Sequence, residues 1–162
     1  MRRALLFLST LYITLIISCE ENNNPIPEIT FNGITKTNGV GQVLTQDASD
    51  WQFSDDWDDK EISLFAEHNN HLCNTHNYSI TAFPNPCIHR FQVYLSKQAN
   101  QRFAYCLVDR YYNVLLYSDS TYSSSFYINV DEFNILNDTI RLYYKLIESD
   151  CELRGHGDIL LE

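Results

Sequence analysis

Three stretches in the second half of the chain alternate apolar and polar side chains with a period of two. Phe91, Val93 and Leu95 alternate with Arg90, Gln92, Tyr94 and Ser96. Phe126, Ile128 and Val130 alternate with Tyr127 and Asn129, and Ile140, Leu142, Tyr144 and Leu146 alternate with Arg141, Tyr143 and Lys145. A period of two is the signature of strands with one face toward a core and the other toward water. Phe, Tyr, Val and Ile, which fit a pleated surface, dominate these runs. Residues 102–109 and 112–118 form a further pair of strands around the hairpin candidate Arg110-Tyr111-Tyr112-Asn113. No glycine occurs between Gln42 and Arg154, so Asn has to serve turns that need positive φ, with Asn113 the expected position. Strand spacings of roughly 8–12 residues predict an antiparallel β-sandwich. No helical stripe exceeds two turns, and no internal repeat is visible.

The 162 residues are 44% hydrophobic, enough for a packed core. The net charge of −10 argues against nucleic-acid binding, which needs clustered Lys and Arg against phosphate. The acids are unevenly spread. Residues 20–67 hold eleven, against Lys36 and Lys60 only, whereas residues 68–162 hold ten against seven basic residues. The shift places a soft boundary near Glu67. Before it, Ile29-Thr30-Phe31 and Val43-Leu44-Thr45, punctuated by Gly33, Gly39 and Gly41, read as one or two short strands. Glu61 to Ala66 suits a strand or a short helix.

Arg2 and Arg3 precede an apolar run from Ala4 to Ile17, interrupted by Ser9, Thr10 and Thr14. At 14 residues it falls short of the roughly 20 needed to cross a bilayer as a helix, and reads as a secretory leader. Ile16-Ile17-Ser18-Cys19 follows: an aliphatic residue three before a cysteine and a small residue directly before it. This resembles the bacterial lipobox, which implies cleavage after Ser18 and lipidation of Cys19. Stable anchoring by acyl chains needs more than one chain at about 0.8 kcal/mol per buried methylene. Losing Arg2 and Arg3 takes the net charge to −12. Glu20-Glu21-Asn22-Asn23-Asn24-Pro25-Ile26-Pro27 is polar and proline-containing, and reads as an extended tether. Its acidic pair also resembles the surface-export signal of some bacterial lipoproteins.

With Cys19 lipidated, Cys73, Cys87, Cys106 and Cys151 remain. An even number outside the cytosol predicts two disulfides. Three connectivities are open; proximity in sequence favours Cys73–Cys87 with Cys106–Cys151. A 13-residue intervening loop would then contribute on the order of 3 kcal/mol. The alternative is four reduced thiols in the core.

Ala82-Phe83-Pro84-Asn85-Pro86-Cys87 leads into the strand from Phe91, followed by Val108-Asp109, a turn, and the strand from Val114. This order resembles the Pro-Asn-Pro immunoglobulin-like modules of secreted bacterial proteins, among them the type IX secretion sorting domains and the related flagellar hook-capping fold. The resemblance covers residues 79–162 and implies an immunoglobulin-like β-sandwich. The two prolines fix φ and remove donors, so the first strand is expected to be short and at an edge. Two departures stand out: Asn113 occupies the usual turn-glycine position, and the sequence ends in Gly155-His156-Gly157-Asp158-Ile159-Leu160-Leu161-Glu162 rather than a Gly-x-Tyr strand and basic tail. The fold is carried over and the secretion role is not.

Candidate sites are few. His68, His71, Cys73 and His76, with Cys87 and His89 beyond, offer imidazole and thiolate ligands, but their spacing matches no two-pair zinc signature. Asp55, Asp56, Asp58 and Asp59 around Trp57 lack the alternation and central glycine of a calcium loop; they read as a solvated acidic loop with one packed tryptophan. Trp51 reads as a core residue. Eleven tyrosines suit cross-strand pairing, and an exposed strip of them would stack on sugars or on a partner chain. His156 and Asp158 lack a nucleophile elbow, and their flanking glycines read as a bulge or a crowded backbone. No P-loop or dinucleotide fingerprint is present.

The expectation is an all-β protein of four segments: a leader at 1–18, a tether at 19–27, an acidic segment with short strands at 28–67, and an immunoglobulin-like sandwich at 68–162. It is a non-catalytic module without a cofactor, held by lipid in the bacterial envelope, at the outer membrane on its periplasmic or surface side. Its partners are the membrane and an envelope protein or polysaccharide, not nucleic acid. The alternative is a metal-binding envelope lipoprotein using His68, His71, His76 and His89.

Overall fold

Aromatic and β-branched residues recur in most of the segments that become strands. In chain order these are β1 (Lys36–Thr37), β2 (Val43–Thr45), β3 (Gln52–Phe53), β4 (Ser79–Phe83), β5 (Arg90–Ser96), β6 (Arg102–Val108), β7 (Val114–Thr121), β8 (Ser125–Asn129), β9 (Thr139–Ile147) and β10 (Glu152–Leu160). One helical turn, α1 (Asp59–Ile62), lies between β3 and β4. The computed structural model describes residues 27–53, 57–67, 69, 71–73 and 77–162. The leader, Cys19 and nearly all of the tether lie outside them.

A three-stranded sheet, β4-β5-β8, faces a five-stranded sheet, β3-β10-β9-β6-β7. Every strand pairing is antiparallel. With β4 to β10 read as A, B, C, C′, E, F and G, the layers are ABE and GFCC′. This is an immunoglobulin-like sandwich that lacks D and carries C′. Phe91, Val93, Leu95 and Ile128 from one layer meet Phe103, Leu107, Leu142, Tyr144 and Ile159 from the other, all buried. Gln92 is half-buried and Tyr94 exposed on the free face of β5, as alternation predicts.

The Pro-Asn-Pro segment turns the corner between the layers. β4 is the edge strand of its sheet. After it, Pro84 and Pro86, each behind a cis peptide bond, flank Asn85. Cys87 then reaches the other layer: its N–H donates to Leu160 O (2.9 Å), and Glu162 N–H donates to Cys87 O (3.0 Å). Strands that switch sheets at such bends make the corners of sandwiches. Asn85 is fully buried. Its Nδ2 donates to Thr35 O and Asp158 O, both at 2.7 Å, and its Oδ1 accepts from Leu160 N–H at 3.0 Å. Its backbone pairs with Thr37 in both directions.

β9 departs from the simple reading. Ile140, Leu142, Tyr144 and Leu146 face the sandwich core, but Tyr143 and Lys145 are also buried and Arg141 is half-buried. Alternation places these three in water; the segment before Glu67 covers them instead. Ile29, Trp57 and Phe65 form a second apolar cluster with Ala104, Cys106, Val108 and Tyr143 on the outer face of the five-stranded sheet. The same segment supplies β3 to the sheet edge and Trp51 to the main core. Within it, Glu61–Ala66 begins as helix rather than strand. Asp58 caps α1 by accepting from Glu61 N–H (2.8 Å), while Glu61 Oε2 accepts from Asp58 N–H (2.9 Å).

One turn reading is corrected. At the β6–β7 hairpin positive φ falls on Tyr112 (63°), not Asn113. The Asp109 carboxylate accepts from the N–H groups of Tyr111 and Asn113 and from Asn113 Nδ2, which fixes Asn113 in the turn. Asn134 and Asn137, both at φ 53°, do take the left-handed conformation. The serine-rich stretch Ser118–Ser125 is strand through Thr121, and β8 resumes at Ser125.

Candidate functional site

The chemistry-bearing side chains gather on the outer face of β9 and β10. Register places Glu152 opposite Ile147, Arg154 opposite Lys145, His156 opposite Tyr143 and Asp158 opposite Arg141. Alternation puts all of them on the face away from the sandwich core. Arg141 grips Asp158 through two contacts, Nε to Oδ1 at 2.7 Å and Nη2 to Oδ2 at 2.8 Å. Glu152 accepts from Arg154 Nε at 2.6 Å and from Lys145 Nζ at 3.4 Å. Backbone carbonyls of the covering segment complete the set: Lys145 donates to Glu67 O, and Arg154 Nη2 donates to Asn69 O at 2.7 Å.

Each of these cations also lies under an aromatic ring brought by that segment. Arg141 sits 5.3 Å from the Phe31 centroid, Lys145 5.2 Å from Phe65, and Arg154 5.6 Å from Trp57. Cation–π attraction strengthens as water is excluded. Burial costs a charge several kcal/mol unless it is paired and fully hydrogen-bonded, on the order of the penalty for removing one partner of a buried pair. Here the partners are present, so the layer holds the segment against the sheet.

The titratable groups follow their surroundings. Burial lowers the Lys145 ammonium and raises the Asp158 carboxyl, the latter against the opposing pull of Arg141. Burial pushes Asp50 up to about 6, although it accepts from Thr35 N–H and Asp158 N–H. Burial and the nearby Arg141 charge lower His156 to about 4. Tyr143 is raised by burial, and its hydroxyl donates to Glu61 Oε1 at 2.7 Å, which docks α1 on the sheet. His156 and Asp158 share one face, yet Asp158 is taken by Arg141.

The glycines of the Gly155-His156-Gly157-Asp158 stretch mark crowding, not a bulge, since β10 pairs with β9 in unbroken register. A Cβ on Gly157 would stand 2.2 Å from the Trp51 ring, and one on Gly155 2.0 Å from Gln52 O. Trp51 itself adopts φ 59° to reach this position. A polar groove of about 530 Å³ opens at one end of the charged layer, lined by Glu67, Asn69, His71, Arg102, Lys145 and Glu148 among others.

Cys19 lies outside the described residues. The favoured disulfide pattern is corrected: Cys73 bonds Cys151, and Cys87 and Cys106 are free and buried. Cys87 follows the corner at one end of the sandwich, whereas Cys73 runs beside the start of β10 at the other, where its N–H donates to Glu152 O (3.1 Å). Burial pushes the free thiols up to about 11 for Cys87 and about 12 for Cys106, so both are inert at neutral pH.

His68 and His76 lie outside the described residues. His71 lines the groove, and His89 Nδ1 lies 3.0 Å from Asp131 Oδ1 on the surface, at the far end of the sandwich. Among the described residues the one group of three potential ligands is Cys73, Glu148 and Cys151, and its two sulfurs are joined to each other. Asp55 and Asp56 also lie outside the described residues; Asp58 is the cap of α1.

The tyrosines divide. Tyr143 and Tyr144 are buried. Tyr94 and Tyr127 stand exposed on the free face of β4-β5-β8, with the Arg90 guanidinium 5.3 Å from the Tyr127 ring. Among the described residues no helix is long and apolar enough to cross a membrane.

Comparisons with protein-family models, with curated proteins and with solved structures find no match to this chain. Asn85, Asp50 and Arg141 were not singled out by sequence reasoning. Asn85 alone carried a signal there, as the centre of Pro-Asn-Pro.

Proposed function

We propose that this chain is a lipid-anchored protein of the bacterial cell envelope, presenting its immunoglobulin-like sandwich as a non-catalytic structural or binding module. The observation that carries the reading is the Cys73–Cys151 disulfide. Such bonds persist in oxidising compartments and are rare in the cytosol, in keeping with a leader that ends in Ile16-Ile17-Ser18-Cys19. The ionic groups of β9 and β10 are engaged with one another and with the covering segment, which supports a scaffold rather than a catalyst. The free face of β4-β5-β8, with Tyr94, Tyr127 and Arg90, is the broad surface such a module would present to an envelope protein or polysaccharide. The placement proposed is the outer membrane, on its periplasmic or surface side.

Expression in a lipoprotein-processing bacterium tests this. The mature mass should equal residues 19–162 plus diacylglycerol and an acyl group, and the protein should fractionate with membranes. Cys19→Ser should abolish both. Membrane association of Cys19→Ser equal to the parent would refute the anchoring.

A further inference from the structure

Antiparallel pairing sorts the turns of the sandwich to its two ends. Residues 84–89, 109–113 and 130–138 lie at one end; residues 97–101, 122–124 and 148–151 lie at the other. The first end is where the chain arrives from its N-terminus. Ile29 N–H donates to Arg110 O at 2.8 Å, and Arg110 pairs with Glu28 at 3.3 Å and with Asp138.

The two ends expose different side chains. On the first, Leu136 is 75% exposed, Ile88 61%, Val114 54% and Tyr111 47%. Among the described residues, the turns of the opposite end expose one large apolar side chain, Tyr122. Scattered exposed apolar residues are ordinary, but several gathered on one end mark an interaction surface.

We infer that this end, through Ile88, Tyr111, Val114 and Leu136, rests in the interfacial region of the membrane to which Cys19 is anchored. The inference builds on the lipid anchoring proposed above. From Cys19 to Glu28 there are nine residues, which span at most about 30 Å when fully extended. Strands of seven to nine residues are themselves about 23–30 Å long at 3.3 Å per residue. A tether leaving beside Arg110 therefore reaches a surface at the near end easily, and would have to run nearly taut along the whole body to present the far end. The short tether also holds these side chains at high effective concentration over the lipid, so weak insertion suffices.

The surface implied is zwitterionic. Asp109, Asp131, Glu132 and Asp138 crowd the same end, with Asp131 set against His89 and Asp138 against Arg110, and anionic headgroups would repel them.

The test uses the lipidated full chain in vesicles of phosphatidylcholine and phosphatidylethanolamine containing a spin-labelled lipid. Leu136→Cys and Tyr122→Cys variants each carry an environment-sensitive fluorophore; the buried thiols of Cys87 and Cys106 do not compete for it. Flotation and intact mass first establish that the lipid is present. The label at 136 should then be quenched at least threefold more than the label at 122. Adding Ile88→Asp and Val114→Asp, both exposed, should remove the difference while lipid and flotation persist. Equal quenching at the two positions in floating, lipidated protein overturns the inference and leaves the anchoring intact. Absence of lipid on Cys19 overturns both.

Discussion

Replacing Asn85 by Ala should cost about 3–5 kcal/mol, and the structure supplies the terms. The amide is fully buried and makes three side-chain hydrogen bonds, to Thr35 O, Asp158 O and Leu160 N–H. Truncation leaves two carbonyls and one N–H short of a partner, and a buried group left unsatisfied costs roughly 1–3 kcal/mol. The lower part of that range applies if water enters the space left by the amide. The three partners belong to two segments separated by more than a hundred residues, so the loss falls on the junction between the covering segment and β10. Asn85→Asp should be worse, because it sets a carboxylate against two carbonyl oxygens that now receive Nδ2–H. A typical domain is stable by about 5–15 kcal/mol in all, so either variant should be visibly weakened. Urea unfolding followed by tryptophan fluorescence provides the measurement, with the midpoint lowered and the slope unchanged. A loss below about 1 kcal/mol for Ala, or Asp more stable than Ala, would refute the reasoning.

Three further outcomes are expected. Removing the disulfide with Cys73→Ala and Cys151→Ala should cost about 2–4 kcal/mol in urea unfolding, since the bond closes a 78-residue separation; native alkylation of the parent should find Cys87 and Cys106 unreactive until denaturant is added. Gly157→Ala drives a methyl into the Trp51 ring and should lower stability by about 2 kcal/mol or more, with Trp51 emission shifted in the folded state. The His156 imidazole, held near 4 against an ordinary 6.5, contributes stability that is present above pH 6.5 and lost as pH falls through 4. The stability difference between parent and His156→Gln should therefore shrink by about 3 kcal/mol between pH 7.5 and pH 4. A difference independent of pH in urea unfolding would count against a buried neutral imidazole.

How much of this was legible in the sequence depended on how local each signal was. β5 reads correctly because Phe91, Val93 and Leu95 face the core while Tyr94 meets water, so one strand carries its own answer. β9 carries the same alternation and means something else. Arg141 and Lys145 look like a solvent face, and only their pairing with Asp158 and Glu152 shows that their charges are met inside. The same limit governs the cysteines. Cys73 and Cys87 are near in sequence, yet β4 and the corner after it carry Cys87 to the other end of the body, while Cys151 lies 5.2 Å from Cys73 between Cα atoms. Crowding at Gly155 and Gly157 was legible from the absence of side chains, but the crowding ring, Trp51, lies more than a hundred residues earlier. Asn113 was expected to take positive φ because Asn tolerates it best; the Asp109 carboxylate fixes Asn113 by its N–H groups and leaves the strain to Tyr112.

These non-local pairings give the molecule a third layer. A sandwich normally leaves the outer face of each sheet to water. Here, among the described residues, one outer face is open and the other is closed by a segment rich in acids and poor in lysine. Its short strands and single helical turn bury few side chains, and its apolar area comes from Ile29, Trp51, Trp57 and Phe65 outside them. It holds through specific contacts: Phe31, Phe65 and Trp57 over three cations, Glu61 on Tyr143, and Thr35 and Thr37 on Asn85. Charges buried this way contribute little net stability but penalise any misplacement heavily. The segment is thereby confined to one position on the sheet. That position sets Ile29 against Arg110 and so fixes which end of the sandwich the N-terminal chain leaves from.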